Sequence, residues 1–389
     1  MPRNLTTDLP PLTIRGRSAL PVVQGGMGVG VSAHRLAGSV AREGAVGTLS
    51  AVDLRRHHPD LMEATGKSRD KAAIDEANRV ALDREVKAAL AIAGGNGIVA
   101  VNVMRAVSES PPYVRQSCES GAQAVVVGAG LPLDLPELTA GHPGVALVPI
   151  LSDARGIGIV LKKWMRKNRL PDAIVIEHPG HAGGHLGAAK VEDLHDKRFD
   201  FENVLEATFK LFRELGLAAE KIPLIVAGGI ATPQRVRELL GLGAAAVQLG
   251  TAFAVTEEGD AHPTFKKVLA EARPEDIVEF VSVAGLPARA VKTPWLAKYL
   301  DKIPVMERRR KPRTQCTLAF DCLQACGLRD GIAKFGQFCI DLHLAAALEG
   351  NLDRGLFFRG GGRLPFGDRI RPVRELLDYL LAKPEPNPA

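Results

Sequence analysis

Eight short runs rich in Val, Ile, Leu and Ala recur along the first two-thirds of this 389-residue chain. Each run is apolar on both faces, which is typical of strands in a parallel sheet that helices cover on both sides. The runs span 21–24, 46–49, 97–103, 123–127, 145–150, 172–176, 222–227 and 245–250. Their regular recurrence predicts an α/β fold in which strands and helices alternate.

Segments with helical spacing lie between these runs. They span 32–43, 72–93, 153–168, 201–216 and 233–243. Ser32 and Asp153 are suitable N-caps, and Pro233 suits a first helical turn after Thr232. Eight strands that alternate with helices favour a closed (β/α)8 TIM barrel.

An open doubly wound sheet is the alternative fold. It would require Gly-x-Gly-x-x-Gly after the first strand and an acidic residue about 20 positions later. The segment 24–32 contains four glycines but not that spacing. The number of predicted strands therefore decides for the barrel.

Two glycine-containing turns follow the seventh and eighth predicted strands. They are Ala227-Gly228-Gly229 and Gly250-Thr251. Barrel enzymes often bind a phosphate after these two strands, because glycine lets backbone N–H groups approach an anion and a helix N-terminus favours negative charge. Tight turns without a ligand are the alternative, but two turns at the expected positions favour a phosphate site.

A histidine-rich segment, 177–188, follows the sixth predicted strand and carries His178, His181 and His185 among four glycines. Histidine titrates near neutral pH, so a general base is expected at this end of a barrel. A metal site and a solvated linker are the alternatives. Pro179 and the glycines disfavour a helix that would align three ligands, so we favour one catalytic histidine.

Four of the five cysteines, Cys316, Cys322, Cys326 and Cys339, lie near the C-terminus, and Cys118 lies in the predicted barrel. Four thiolates meet the ligand count of a zinc site or an iron–sulfur cluster, whereas buried free thiols are the alternative. An odd cysteine count without a signal peptide predicts reduced thiols in the cytoplasm.

The charge pattern excludes some partners. The formal net charge is +6, and the dense basic run is 308–313. Neither interleaved aromatics nor a nucleic-acid-binding module accompanies this run, so we expect a solvated loop and no nucleic-acid partner. No apolar run reaches the roughly 18 residues of a membrane span. We therefore expect no membrane partner. The substrate is expected to be a small molecule, and a homodimer is possible.

The motifs, taken in order and spacing, resemble those of the nitronate monooxygenase family (older name 2-nitropropane dioxygenase), which includes the FMN-dependent enoyl-acyl-carrier-protein reductase II. Besides the two glycine turns, they lie at 21–27, 47–50, 101–103, 128–132 and 182–187. A C-terminal element, Cys322 to Cys326 followed by 355–363, resembles an extension found in some bacterial members.

The resemblance implies an FMN-binding barrel with a smaller helical cap. We accordingly predict a barrel over 13–258, a cap with the cysteine-rich extension over 259–362, and a C-terminal helix that packs on the barrel followed by a disordered tail over 363–389. The implied activity is oxidation of alkyl nitronates by O2 to a carbonyl compound and nitrite. The alternative is NAD(P)H-dependent reduction of a quinone or an enoyl thioester through FMN.

The resemblance also implies roles for individual residues. His185 matches the base that removes the α-proton of a neutral nitroalkane. Arg289 and Lys292 are candidates for contact with an acidic substrate or the pyrophosphate of NAD(P)H, with plain surface charges as the alternative. The residues implied to bind FMN are Gln24, Gly25, Gly26 and Met27 along the ring, Asn102, Gly183, Gly184, and, around the phosphate, Ala227, Gly228, Gly229, Gln248, Gly250 and Thr251.

Overall fold

A closed barrel of parallel strands forms the centre of the computed structural model, which describes residues 5–313 and 315–383. An antiparallel ribbon, β1 (Leu12–Ile14) and β2 (Arg17–Ala19), precedes it. The barrel strands, in spatial order, are β3 (Val22–Gln24), β4 (Val46–Ser50), β5 (Ile98–Met104), β6 (Ala124–Gly128), β7 (Ala146–Leu151), β8 (Ile174–Glu177), β10 (Leu224–Ala227) and β11 (Ala246–Leu249), and β11 pairs with β3. The intervening two-residue strand β9 (Gly184–His185) lies outside the barrel. The predicted (β/α)8 barrel is confirmed, and each predicted run agrees with its strand to within two residues at either end.

Helices surround the barrel. The five predicted segments correspond to α1 (His34–Arg42), α3 (Lys71–Ala93), α6 (Ala154–Met165), α7 (Phe201–Glu214) and α8 (Pro233–Gly241), whereas α2 (Pro59–Thr65), α4 (Ser110–Glu119), α5 (Leu135–Leu138) and α9 (Thr251–Ala254) were not predicted. Short 3₁₀ turns span Leu54–His57, Val191–Asp193, Lys197–Phe199, Ala219–Lys221 and Pro274–Asp276.

Two of the predicted helix starts are confirmed. The Asp153 carboxylate accepts a hydrogen bond from the Gly156 N–H at 2.7 Å, and the Thr232 hydroxyl accepts from the Arg235 N–H at 3.2 Å. These side chains satisfy N–H groups that have no partner within the first helical turn.

The Ser32 cap is wrong. The Ser32 hydroxyl accepts from the Met27 N–H at 2.8 Å instead, and Ala33 occupies the N-cap position of α1. The carboxylate of Asp260, 227 residues further along the chain, accepts from the Ala33 N–H at 2.8 Å and the Leu36 N–H at 3.1 Å. A carboxylate at a helix N-terminus also interacts favourably with the helix dipole, so it replaces the local serine.

The core has two layers. Inside the barrel, side chains such as Val23, Ile98 and Ile225 pack together, and Leu12 of the ribbon joins them. Between the strands and the helices lies a larger apolar layer that includes the fully buried Trp164 of α6. The ribbon therefore closes the end of the barrel that receives the amino ends of the strands, and the opposite end is left for chemistry.

The region 259–362, called the cap below, contains helices and strands. Its elements are α10 (Pro263–Glu271), β12 (Ile277–Val281), β13 (Pro287–Val291), α11 (Pro294–Arg309), α12 (Gly327–Asp330) and α13 (Ile340–Leu348). β9 pairs antiparallel with β13 and completes a sheet of order β12-β13-β9. The cap is therefore not purely helical, because it contains β12 and β13 and the histidine-rich segment adds β9 to them. The boundaries of the cap stay a prediction.

The last helix, α14 (Val373–Leu381), packs against α1, α8 and α9. Its buried side chains, including Leu377 and Leu380, belong to the apolar layer around the barrel. This agrees with the predicted packing of a C-terminal helix on the barrel. The predicted disordered tail, from Pro384 onward, lies outside the described residues.

Candidate functional site

A cavity of about 280 Å³ opens at the carboxyl ends of the barrel strands and extends under the cap. Its wall includes the loops after seven of the barrel strands as well as cap residues such as Asp341 and Phe358. The sequence-predicted residues that line it are Gly25, Gly26, Met27, Asn102, Gly183, Gly184, His185, Ala227, Gly228, Gly229, Gln248, Gly250 and Thr251. Segments far apart in sequence therefore meet in one cavity at the end of the barrel where such enzymes carry their chemistry.

Gln24 does not line the cavity. Its fully buried amide lies in the barrel wall, where the side-chain oxygen accepts from the Thr48 N–H at 2.8 Å and the nitrogen donates to the Thr48 carbonyl at 3.0 Å. Gln24 therefore joins β3 to β4, and this position gives no support to the predicted contact of its side chain with a ring in the cavity. Its neighbours Gly25 and Gly26 line the cavity.

Glycines keep the floor of the cavity free of side chains. Gly229 has a φ of +71°, and a Cβ there would approach the His181 ring to 2.9 Å. A Cβ on Gly26 would lie 2.4 Å from the Asn102 Cβ. Larger residues cannot occupy these positions without moving their neighbours, so backbone N–H groups are left to face a ligand.

His185 lies on β9, opposite Ala288 of β13, and its Nε2 is 2.9 Å from the Ser282 hydroxyl oxygen. Ser282 is fully buried and also accepts from the Ala284 N–H at 3.2 Å. Burial lowers the pKa of His185 to about 4, so the imidazole is neutral at neutral pH. In the tautomer that donates from Nε2 to Ser282, Nδ1 is free to accept a proton.

The other two histidines of the segment, His178 and His181, differ in whether they line the cavity. His178 is buried, and its Nδ1 accepts from the Gly180 N–H at 3.0 Å, which shapes the loop. His181 lines the cavity, and burial together with the nearby His178 lowers its pKa to about 4. The described residues contain no group of three or more His, Cys, Asp or Glu side chains that could hold a metal ion, these histidines included.

Glu177 was missed by sequence reasoning. It is the last residue of β8, lines the cavity, and has a pKa that burial raises to about 7. An acidic residue directly at the carboxyl end of a predicted barrel strand was the available signal, because that position faces the active end.

Arg289 pairs with protein groups. It is buried, and its guanidinium donates to the Glu279 carboxylate at 3.1 Å, to the Pro179 carbonyl at 3.1 Å and to the Ala182 carbonyl. Because these partners lie on β12 and on the histidine-rich loop, Arg289 joins that loop to the cap. These pairings give no support to the predicted contact of Arg289 with an acidic substrate or NAD(P)H. Lys292 is exposed and does not line the cavity.

The C-terminal cysteines give no support to the predicted zinc or iron–sulfur site. Cys316, Cys322, Cys326 and Cys339 form no metal-binding group in the part of the chain that the structure describes. Cys322 and Cys326 pack against the apolar side chains of the cap. Burial raises the pKa of Cys339 to about 12 and that of Cys322 well above its usual range, so these thiols are neutral and behave as small apolar groups.

The basic run at the end of α11 is exposed throughout its described residues, as a solvated segment would be. The described helices include none that is both long enough and apolar enough to cross a membrane.

Comparisons with known proteins cover most of the chain. A model of the nitronate monooxygenase family matches residues 16–383. A probable nitronate monooxygenase of Bacillus subtilis (strain 168) is 27% identical over 289 residues, which are 71% of this chain and 77% of the relative.

Two solved structures share the fold. FabK from Thermotoga maritima superposes with a TM-score of 0.62 at 21% identity, covering 93% of this chain and 91% of that one. Nitroalkane oxidase from Streptomyces ansochromogenes superposes with a TM-score of 0.62 at 19% identity, covering 92% and 94%. The family match spans the barrel, the cap and the C-terminal helix, so the chain belongs to the nitronate monooxygenase family, whose members are FMN-dependent oxidoreductases.

Proposed function

We propose that this chain binds FMN in the cavity at the carboxyl end of the barrel and oxidises alkyl nitronates with O2 to a carbonyl compound and nitrite. The observation that carries the proposal is the placement of a neutral histidine, His185, in the same cavity as the two glycine turns. When bound, FMN supplies a redox centre that takes electrons from the substrate and passes them to O2.

The cavity fits a flavin phosphate at one end. Gly228 and Gly229 follow β10, and Thr251 follows β11. A Cβ on Gly228 or Gly229 would come within 3.2 or 2.9 Å of the His181 side chain, so these two positions carry no side chain over the backbone. Backbone N–H groups and a hydroxyl at the start of a helix are the donors that phosphate groups use in barrel enzymes. The pocket wall at Gly25, Gly26 and Met27 would lie along the ring.

His185 would act on the substrate carbon. A neutral nitroalkane must lose its α-proton before it becomes a nitronate, and a neutral imidazole can accept that proton. Ser282 holds the ring by one nitrogen, which leaves the other for the substrate. A preformed nitronate has already lost the proton and does not need this step.

NAD(P)H-dependent reduction of a quinone or an enoyl thioester is the alternative activity. Arg289, a candidate for the pyrophosphate of NAD(P)H, is committed to Glu279 and to loop carbonyls. This arrangement favours the nitronate reaction.

The test is anaerobic reduction of the purified full-length protein. We expect a yellow protein with flavin absorption bands that bleach on mixing with propyl-2-nitronate. Bleaching by NADH or NADPH alone would replace the proposal with the reductase alternative. A protein that neither carries nor takes up flavin would contradict both.

A further inference from the structure

A short segment of the C-terminal extension, 359–363, crosses the two glycine turns and is called the strap below. The Gly360 N–H donates to the Thr251 hydroxyl at 3.1 Å, and the Gly361 N–H donates to the His181 carbonyl at 3.2 Å. A Cβ on Gly362 would lie 3.3 Å from the Gly229 Cα. The strap therefore contacts both glycine turns and the histidine-rich loop. In sequence it lies about 110 residues after Thr251, the nearest of these contacts.

Arg359 begins the strap and lines the cavity with only 5% of its surface exposed. Its Nε donates to the Leu269 carbonyl at 2.9 Å, and its Nη1 donates to the Gly360 and Gly362 carbonyls at 2.7 and 3.1 Å. The two N–H groups of Nη2 make no hydrogen bond to a described residue, and no described carboxylate lies within ion-pair distance of the guanidinium.

A buried arginine without an acidic partner is costly. Burial lowers the pKa of Arg359, and no neighbouring carboxylate opposes that effect, yet an arginine stays protonated at neutral pH. Removing such a charge from water is unfavourable unless an anion or several hydrogen bonds compensate it. Three carbonyls satisfy part of the guanidinium, and the cavity side remains for a negatively charged ligand.

We infer that Arg359 is an anion-binding residue that pairs with the phosphate of the flavin, and that the strap forms the third wall of the phosphate site. The glycine turns contribute neutral N–H donors, whereas Arg359 contributes a full positive charge beside them. Guanidinium N–H groups match phosphate oxygens well, and such charged hydrogen bonds are stronger than neutral ones. The inference rests on the proposed binding of FMN.

The test compares FMN with riboflavin, which has the same ring and ribityl chain but no phosphate. Dissociation constants of the full-length protein are measured by flavin fluorescence for the wild type, Arg359→Met and Arg359→Lys. We expect Arg359→Met to weaken FMN binding about tenfold to a hundredfold. Riboflavin binding should change less than about threefold, and Arg359→Lys should lie between the wild type and Arg359→Met for FMN.

Arg354→Met is the matched control, because Arg354 lies nearby in sequence but is exposed and does not line the cavity. It should bind both flavins like the wild type. Equal weakening of FMN and riboflavin by Arg359→Met would overturn the inference and assign the residue to strap folding alone. The inference would also be overturned if Arg359→Met preferred FMN over riboflavin by the same factor as the wild type.

Two further results separate the possible failures. A wild type that binds neither flavin contradicts the proposed function itself, whereas a wild type that prefers FMN leaves only the role of Arg359 in question. If Arg359→Met does not fold, as judged by circular dichroism, Arg359→Lys decides: selective loss of FMN supports the inference, and equal loss of both flavins overturns it.

Discussion

Burial moves the pKa values of the ionisable side chains around the cavity in opposite directions. It lowers the pKa of His185 to about 4 and raises that of Glu177 to about 7. In both cases the uncharged form is the one that low-polarity surroundings favour. Between these two values both side chains are predominantly neutral, so this part of the wall presents no charge to a carbon acid and its anion.

Replacing His185 with Asn separates proton removal from the later chemistry. We expect turnover of a neutral nitroalkane to fall by about two to four orders of magnitude, the usual contribution of a general base. Turnover of the preformed nitronate should fall far less. Steady-state rates on both forms of the same nitroalkane check this, and an equal loss on both would remove His185 from the role of base.

Replacing Glu177 with Gln should change the pH dependence of stability. Because the pKa of Glu177 is raised to about 7 in the folded protein, its contribution to stability is fully present below its unfolded pKa and is lost as the pH rises through 7. Flavin-free Glu177→Gln should match the wild type at pH 4, below the unfolded pKa. At pH 8.5 it should exceed the free energy of unfolding of the wild type by about 3 kcal/mol.

Urea unfolding at the two pH values measures this difference. Glu206→Gln is the control, because Glu206 is exposed on the outer face of α7. It should behave like the wild type at both pH values. A Glu177 variant that is no more stable than the wild type at pH 8.5 would show that the carboxylate is well solvated in the cavity.

Motifs predicted the glycines of the cavity and His185, because these residues are constrained locally by turns and by a single loop. The partners of His185 were not predictable, since Ser282 lies 97 residues away and meets the ring only through the pairing of β9 with β13. The same holds for Arg289, which looks like a surface charge in sequence but becomes buried beneath a distant loop.

At the scale of elements, apolar patterns predicted the barrel strands and five of the helices. Each strand buries both of its faces, and each of these helices buries one regular stripe of side chains. β9 escaped prediction, since a two-residue strand rich in glycine has no periodicity of its own. It exists because β13 offers a free edge, and backbone hydrogen bonds across that edge satisfy its polar groups.

The packing of the C-terminal helix α14 should contribute about 2–5 kcal/mol to the free energy of unfolding. Leu377 is fully buried against the barrel layer, so Leu377→Ala should reduce the free energy of unfolding by about 2–5 kcal/mol. Leu352→Ala is the control, because that side chain is 45% exposed, and it should cost no more than about 0.5 kcal/mol. Urea titrations of both variants test this, and equal losses would contradict the packing of α14.

At the scale of the whole molecule, a buried ionic contact joins the barrel to the cap. Asp53, after β4, accepts hydrogen bonds from Arg55 at 2.7 Å and from Arg56 at 2.5 Å. Arg56 also donates at 2.8 Å to Asp341, at the start of α13 in the cap. The pairing of Arg56 with Asp341 could not be predicted from the sequence, because the two residues lie 285 positions apart and meet only when the cap packs on the barrel.

Removing one member of this contact should loosen the cap before the barrel. Arg56→Met leaves the Asp341 carboxylate buried without its cation, a defect that typically costs about 3–5 kcal/mol, whereas Asp53 keeps Arg55. The double variant Arg56→Met/Asp341→Leu should recover most of the loss, because no unpaired charge remains at the interface.

The two tryptophans of the chain can report the two parts separately. Trp164 is buried in the barrel layer, and Trp295 stacks on Tyr299 in the cap. With each tryptophan alone, in Trp295→Phe and Trp164→Phe backgrounds, Arg56→Met should lower the urea midpoint of Trp295 fluorescence more than that of Trp164. Equal shifts of the two midpoints would mean that the barrel and the cap unfold as one unit. In that case the cavity between them is held by packing over the whole interface rather than by the Arg56 contact.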